Sequence, residues 1–205
     1  MSAIKLIPSS GGGSVSLVPP SSTSGADVNI TLPTSDQGFG RILQVVQAIK
    51  QDTFTTTSST MVDVGLAVSI TPASTSNKVL VAVNLGLVGG LNNSYPGFQL
   101  VRVSGSTSTP LGLGNTATGS RVNVTFGNLG FNGPSGDVTK GLQASSSSYQ
   151  FLDSPSVVDT SITYKLQVFS GYNSHSVYVN RQFTNDDQPY IQRSSSTITA
   201  MEVAA

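Results

Sequence analysis

The sequence predicts an all-β fold, an antiparallel β-sandwich of jelly-roll type with an extended N-terminal strand-forming arm. Three observations carry that reading. Apolar residues alternate with period two, as at Val79, Val81, Val83 and Leu85, and again at Ile162, Tyr164, Leu166 and Val168. The alternating runs are short and divided by loops rich in Gly, Asn and Ser. No helical pattern is interleaved with them, so parallel βαβ architecture is excluded.

Taken in order, residues 1–40 read as an arm and residues 41–205 as the body. In the arm, Gly11–Gly13 form a flexible point, and Pro19 and Pro20 impose an extended path. Val15–Val18 is a short strand, and Asp27–Leu32 alternates with Val28, Ile30 and Leu32 on one side. Two such strands make no core of their own, so the arm must lean on the body, on another subunit or on a larger assembly.

In the body, Leu43, Val45 and Ile49 alternate ahead of the Thr-rich Thr53–Thr57. Val46, Ile49 and Thr53 also have helical spacing. The β-branched flanks and the missing N-cap before Arg41 favour a strand. Val62–Ile70 keeps one parity, with Gly65 as a bulge candidate, and Pro72–Asn77 is a turn. Lys78–Leu87 is the strongest strand, with Val79, Val81, Val83, Leu85 and Leu87 inward and Ala82 and Asn84 outward. Further strands are expected at Phe98–Val103, Arg121–Phe126, Tyr149–Leu152, Ser161–Phe169, Ser176–Asn180 and Ser196–Val203. Gly105–Thr109, Gly112–Ser120 and Gly127–Gly136 read as loops.

The composition narrows the function classes. The 205 residues carry 10 basic and 10 acidic side chains, and charged residues make up 10% of the chain, against about 25% in an average domain. A net charge of zero with no basic cluster argues against a nucleic-acid partner. There is no run of apolar residues long enough for a membrane span. The first 15 residues lack a basic end followed by an apolar block, so export by a cleaved leader is not expected. The absence of cysteine removes disulfide and thiolate chemistry, as suits a protein made in a reducing cytosol.

The candidate sites are sparse. His175 is the only histidine, and with Asp186 and Asp187 it makes a poor metal-ligand set. One base among many hydroxyls, with no Gly-x-Ser-x-Gly elbow, gives no serine triad. Asp153 and Asp159 could approach across a loop as a glycosidase pair, but no Trp is available as a sugar platform and turn capping explains them better. Asn185–Pro189 matches no EF-hand loop. Gly112, Gly114 and Gly119 lie in no strand-to-helix context, so they read as loop glycines and not as a phosphate cradle. Asn29, Asn92 and Asn123 head Asn-x-Ser/Thr triplets that read as chance in a chain about one quarter Ser and Thr. Tyr95, Phe98, Phe131, Tyr149, Tyr172, Tyr178, Phe183 and Tyr190 are the aromatic candidates for a sugar- or protein-binding surface. No catalytic, cofactor-binding or metal-binding residue is assigned, no cofactor is expected, and the chain is not read as an enzyme.

Low charge, abundant short hydroxyl side chains and a strand-forming arm suit a module that buries sheet edges and polar faces against copies of itself or a particle wall. Several segments also resemble one family. The stretches Gly13–Pro33, Gln44–Phe54, Leu66–Leu80, Phe151–Pro155, Val177–Arg181 and Ser196–Val203 are similar, in the same order, to tail-fibre-like and related virion surface proteins of marine bacteriophages and cyanophages. The resemblance implies a non-enzymatic virion component with a β-sandwich head, assembled as a homotrimer. Residues 1–40 would contact other virion proteins or a neighbouring subunit. The chain lacks shaft repeats, heptads and a collagen-like tract, which favours a short tail fibre or a capsid decoration or cement protein over a long fibre. A separate expectation is a carbohydrate-binding β-sandwich that contacts host surface polysaccharide through loop tyrosines.

Overall fold

A computed structural model describes residues 4–6, 15–17, 42–90, 94–115, 118–127, 144–171 and 175–205. The chain divides into two units, Met1–Gly38 and Phe39–Ala205. In the first, β1 (Ile4–Leu6) pairs antiparallel with β2 (Val15–Leu17), with Lys5 opposite Ser16. The strand expected at Val15–Val18 is therefore present, with a partner the sequence did not announce. The alternation at Asp27–Leu32 lies outside the described residues.

The second unit holds β3 (Ile42–Lys50), β4 (Phe54–Thr56), β5 (Val62–Ile70), β6 (Lys78–Gly90), β7 (Pro96–Ser104), β8 (Thr107–Leu111), β9 (Phe126–Gly127), β10 (Ala144–Asp153), β11 (Ile162–Ser170), β12 (Val177–Val179) and β13 (Ser196–Val203). In one sheet β6 is central. β10 runs along one side of it, while β13 and then β12 share the other. β3 continues outward from β13, and β4 from β12. The second sheet runs β5–β11–β7–β8, with β9 also on β7. When β3 with β4, β8 with β9, and β12 with β13 are each counted as one interrupted ribbon, the order is 1-8-3-6 in one sheet and 2-7-4-5 in the other. That is the jelly-roll order, in which successive ribbons cross between sheets at every step but the fourth. All the pairings are antiparallel.

The core lies between the sheets. Val64, Leu66, Phe98, Leu100, Ile162, Tyr164, Leu166 and Val168 of one sheet meet Val79, Val81, Val83, Val177, Val179, Ile198 and Ala200 of the other. Alternation placed most of these correctly. Gly65 sits at φ +81° where Val64, Gly65 and Leu66 together oppose one residue of β11, so the expected bulge is present and the parity of β5 is kept.

β3 is a strand, as expected, and three other readings need correction. Leu43, Val45 and Ile49 point outward at 51%, 57% and 58% exposure, while Gln44, Val46, Ala48 and Lys50 turn inward. The inward set is selected because Gln44 must meet the buried Glu202 and because small Ala48 and Val46 fit opposite Ile198 and Ala200. Leu87 is only half-buried and Val88 is in the core instead, because Gly86 and Leu87 bulge opposite Ser146 and shift the parity of β6. Gly105–Thr109 is not a plain loop. It turns at Gly105 (φ +57°) and forms a hairpin into β8, with Ser104 opposite Thr107. The strand expected at Arg121–Phe126 shrinks to β9. Just ahead of β9, the Thr125 hydroxyl donates to the Leu111 carbonyl (2.6 Å) and accepts from the Leu100 N–H (2.9 Å).

The β6 bulge is supported from outside the ladder. The Gly86 N–H donates to Ser196 Oγ (3.1 Å) and the Leu87 N–H to Ser194 Oγ (2.6 Å). A Cβ at Gly86 would collide with Ser194 and the Ser195 carbonyl. Beside it Asn180, fully buried at φ +65°, donates through Nδ2 to the carbonyls of Lys50 (2.9 Å) and Asp52 (3.0 Å). Its Oδ1 accepts from Ser196 Oγ (2.6 Å) and its N–H donates to the Leu87 carbonyl (2.7 Å). Asn180→Ala is expected to cost more than about 2 kcal/mol, since it orphans buried carbonyls and strains a left-handed backbone. Asn180→Gly should be milder by about 1–2 kcal/mol, because only the hydrogen bonds are lost. Urea denaturation midpoints of the two variants check this, and equal losses would remove the backbone part of the account.

Candidate functional site

Charged and amide side chains at core-facing positions are the natural place to look for chemistry. At the end of β10 the inward series Tyr149, Phe151 continues into Asp153, which is 5% exposed. Both its oxygens accept from Arg102 Nη1, at 2.9 and 2.8 Å, and Oδ2 also accepts from the Tyr164 hydroxyl at 2.7 Å. Arg102 and Tyr164 are cross-strand neighbours on β7 and β11, so the cluster ties one sheet to the other. Burial, and then the Asp153 carboxylate, hold the Tyr164 phenol far above its ordinary range. It therefore stays a proton donor in the hydrogen bond at neutral pH.

A second inward carboxylate, Glu202 on β13, is 1% exposed. It has no cation. Instead Gln44 Nε2 donates to Oε2 (2.6 Å), and the Ala73 N–H (2.7 Å) and Asn77 Nδ2 (2.6 Å) donate to Oε1. Burial alone raises this carboxyl, but the bonds from Gln44, Asn77 and Ala73 outweigh it and leave the group below its ordinary value of 4.5. The cluster pins the β5–β6 turn to β13 and β3, and Gln44 Nε2 also donates to the Thr71 carbonyl (2.7 Å).

These partners settle what the sequence candidates can do. Asp153 is a cross-sheet strut, not a turn cap, and its lone pairs are occupied. Asp159 is exposed in the following loop at φ +49°, where its N–H donates to the Pro72 carbonyl (2.9 Å). Asp153 is thus buried in its bonds to Arg102 and Tyr164, while Asp159 is open to solvent. His175 is half-buried just before β12. Asp186 and Asp187 are exposed, with Asn185, Gln188, Ile191 and Arg193, around a shallow groove of about 270 Å³. Arg193 Nη2 donates to Asn185 Oδ1 across it. Among the described residues, no three His, Cys, Asp or Glu side chains come together as metal ligands. No helix among them is long and apolar enough to cross a membrane.

The aromatic candidates divide. Phe98 is in the core and stacks on Phe126 at 5.1 Å, and Phe126 stacks on Tyr149 at 5.5 Å. Gly112 (φ +59°) leaves room for the Tyr149 hydroxyl, and Gly119 is also left-handed (φ +68°), as loop glycines should be. Tyr178 is 9% exposed, meets Phe183 edge-on at 5.7 Å and carries Arg181 over its ring at 4.4 Å. Among the described residues, Tyr95 and Tyr190 are the exposed candidates, at 42% and 58%. Phe131, Tyr172, Asn29 and Asn92 lie outside those residues. In the Asn123 triplet, the buried and doubly bonded Thr125 hydroxyl is unavailable to a glycosylating enzyme.

One surface stands out that sequence reasoning missed. Register places Val45, Met201, Leu80 and Leu152 side by side on the outward face of β3, β13, β6 and β10. Val45 and Leu152 are 57% and 48% exposed, and Met201 and Leu80 are half-buried. The adjoining rows are Gln47, Thr199, Ala82 and Gln150, then Ile49, Thr197, Asn84 and Ser148. None of these twelve residues is charged.

Comparison with known proteins adds little. No protein-family model matches the chain, and no curated protein matches it. Among solved structures, a chain in the structure of infectious bursal disease virus Gx strain is 11% identical, with a TM-score of 0.37. The match covers 94% of this chain and 43% of that one. That likeness is too slight to bear on function.

Two outcomes test the polar clusters. Asp153→Ala is expected to lower stability by about 3–5 kcal/mol, because it leaves Arg102 unpaired at a largely buried position. A loss below about 1 kcal/mol in urea titration would refute the strut. Glu202 stabilises the fold fully above its unfolded pKa, and that contribution is lost as pH falls through its lower folded value. The stability difference between wild type and Glu202→Gln should therefore shrink between pH 7 and pH 3, and a constant difference would contradict it.

Proposed function

We propose that this chain is a non-enzymatic structural component of a bacteriophage particle surface, a short tail fibre or a capsid decoration or cement protein. In this reading residues 41–205 are the outward body, and residues 1–40 are an arm that contacts other virion proteins or a neighbouring subunit. The copies assemble as homotrimers. The observation that carries the reading is the set of three uncharged rows on the outward face of the β3–β13–β6–β10 sheet, among them Val45, Met201, Leu80 and Leu152. Contiguous exposed apolar surface on a chain with so few charges calls for a protein cover. The family resemblance of the sequence supplies the particle as the setting. The charged core-facing residues support the same reading, since their partners are spent on holding the sheets together.

Antibody against the body should label the surface of intact phage particles in electron microscopy. In light scattering at tens of micromolar, the full chain should contain a multiple of three copies. Unlabelled particles would refute the virion role, and a monomer would remove self-association from it.

A second reading has one observation in its favour. The groove of Asn185, Asp186, Asp187, Gln188 and Arg193 offers amide, carboxylate and guanidinium groups, with Tyr190 exposed in the same loop. Such a set suits a host surface polysaccharide. A glycan-array signal that falls at least tenfold in Tyr190→Ala would support it, and no signal on any glycan would dismiss it.

A further inference from the structure

Among the described residues the sandwich has four open sheet edges, and they are not treated alike. β5 is broken by the Gly65 bulge and carries Asp63, which accepts from Lys165 Nζ (2.8 Å) and Gln167 Nε2 (2.7 Å). β8 has only five residues and includes Pro110. β10 shows Ser145–Ser148 and Gln150. Charges, proline, bulges and shortness are the usual guards of an edge. β3 has no proline, bulge or exposed charge over Gln44–Lys50, its one irregularity lying ahead of Gln44. Its outward side chains there are Val45, Gln47 and Ile49. Its single charge, Lys50, is 7% exposed with Nζ turned to Asp52 at 2.6 Å. Among the described residues, β3 pairs with β13 alone.

We propose that β3 is a self-recognition strand: two copies of this chain pair β3 against β3, antiparallel, about a two-fold axis at Gln47. The pattern of the strand selects a second copy as the occupant. Gln47 is the midpoint of the regular stretch Gln44–Lys50, so the register places Val45 opposite the second copy's Ile49 and Ile49 opposite its Val45. On the same face Gln47 meets its own counterpart. On the inward face Val46 meets Ala48, and Lys50 meets Gln44. Apolar residues thus face apolar ones in both apolar pairs, and no two like charges are opposed. The ladder continues across the axis, and the free N–H and C=O groups of both edges are satisfied. This rests on the self-association in the proposed function and adds the contact and its symmetry. A two-fold contact between homotrimers gives an even number of copies, a pair of trimers.

The test uses the full chain. Light scattering should give an even number of copies, and Val45→Lys with Ile49→Lys should halve it while far-ultraviolet circular dichroism is unchanged. Both side chains already face water, so the fold has no need of them. Because the chain has no cysteine, Gln47→Cys introduces the only thiol. At the two-fold its Cα would lie within disulfide reach of its counterpart in either kind of antiparallel pair. Mild oxidation should therefore convert most of that variant to a covalent dimer, while Ser148→Cys on β10 stays largely uncrosslinked. Wild type with three copies would overturn this proposal and leave the proposed assembly standing. Wild type with one copy would overturn both. Failure of Gln47→Cys to crosslink above Ser148→Cys, or an undiminished mass in the double lysine variant, would overturn the β3 contact alone.

Discussion

A polar group placed between two apolar sheets must find its partners there, and this molecule is organised by that requirement. Arg102, Asp153 and Glu202 all occupy positions whose parity directs them inward. Each is a liability unless satisfied, because an unpaired buried charge costs several kcal/mol. Satisfying them fixes the geometry. Asp153 reaches across the sandwich to Arg102 and Tyr164, and Glu202 gathers the β5–β6 turn and the start of β3. Asn180 does the same without charge where β12 ends, β3 ends and β13 begins.

The same requirement explains how a chain so poor in charge keeps a definite shape. Apolar burial alone tolerates a strand slipping by two residues, since the faces are preserved. A carboxylate that needs Gln44, Ala73 and Asn77 does not tolerate it. Polar satisfaction therefore sets register, and apolar alternation sets which face is inside. The outward face is under neither constraint.

Much of the fold was legible in the sequence because β5, β11, β13 and β6 up to Leu85 each bury one clean parity set. What was not legible has specific physical sources. In β3 both parity sets are apolar enough to face a core, and the choice is made by Gln44 and its distant partner Glu202. In β6 a bulge at Gly86 reverses the parity for Leu87 and Val88, and the serines that stabilise it come from more than a hundred residues away. β8 is short and mostly Ser and Thr, so its pairing follows from the Gly105 turn and not from its own hydrophobicity. The polar clusters had a signal that could have been used: a charged residue interrupting an inward apolar series, as Asp153 follows Phe151 and Glu202 follows Ala200. Which partner each would find depends on tertiary register, and no local pattern encodes that.

The pairing of β3 with β13 joins the first long strand of the body to its last. Until Ser196–Val203 has been made and has inserted between β3 and β6, both of those strands present open ladders, one of them strongly apolar. A growing chain on the ribosome therefore cannot close this barrel-like layer piecemeal, and folding waits on a contact of very high sequence separation. A nascent or prematurely terminated product would be a sticky species, so the yield of folded chain depends on how quickly that final strand is delivered.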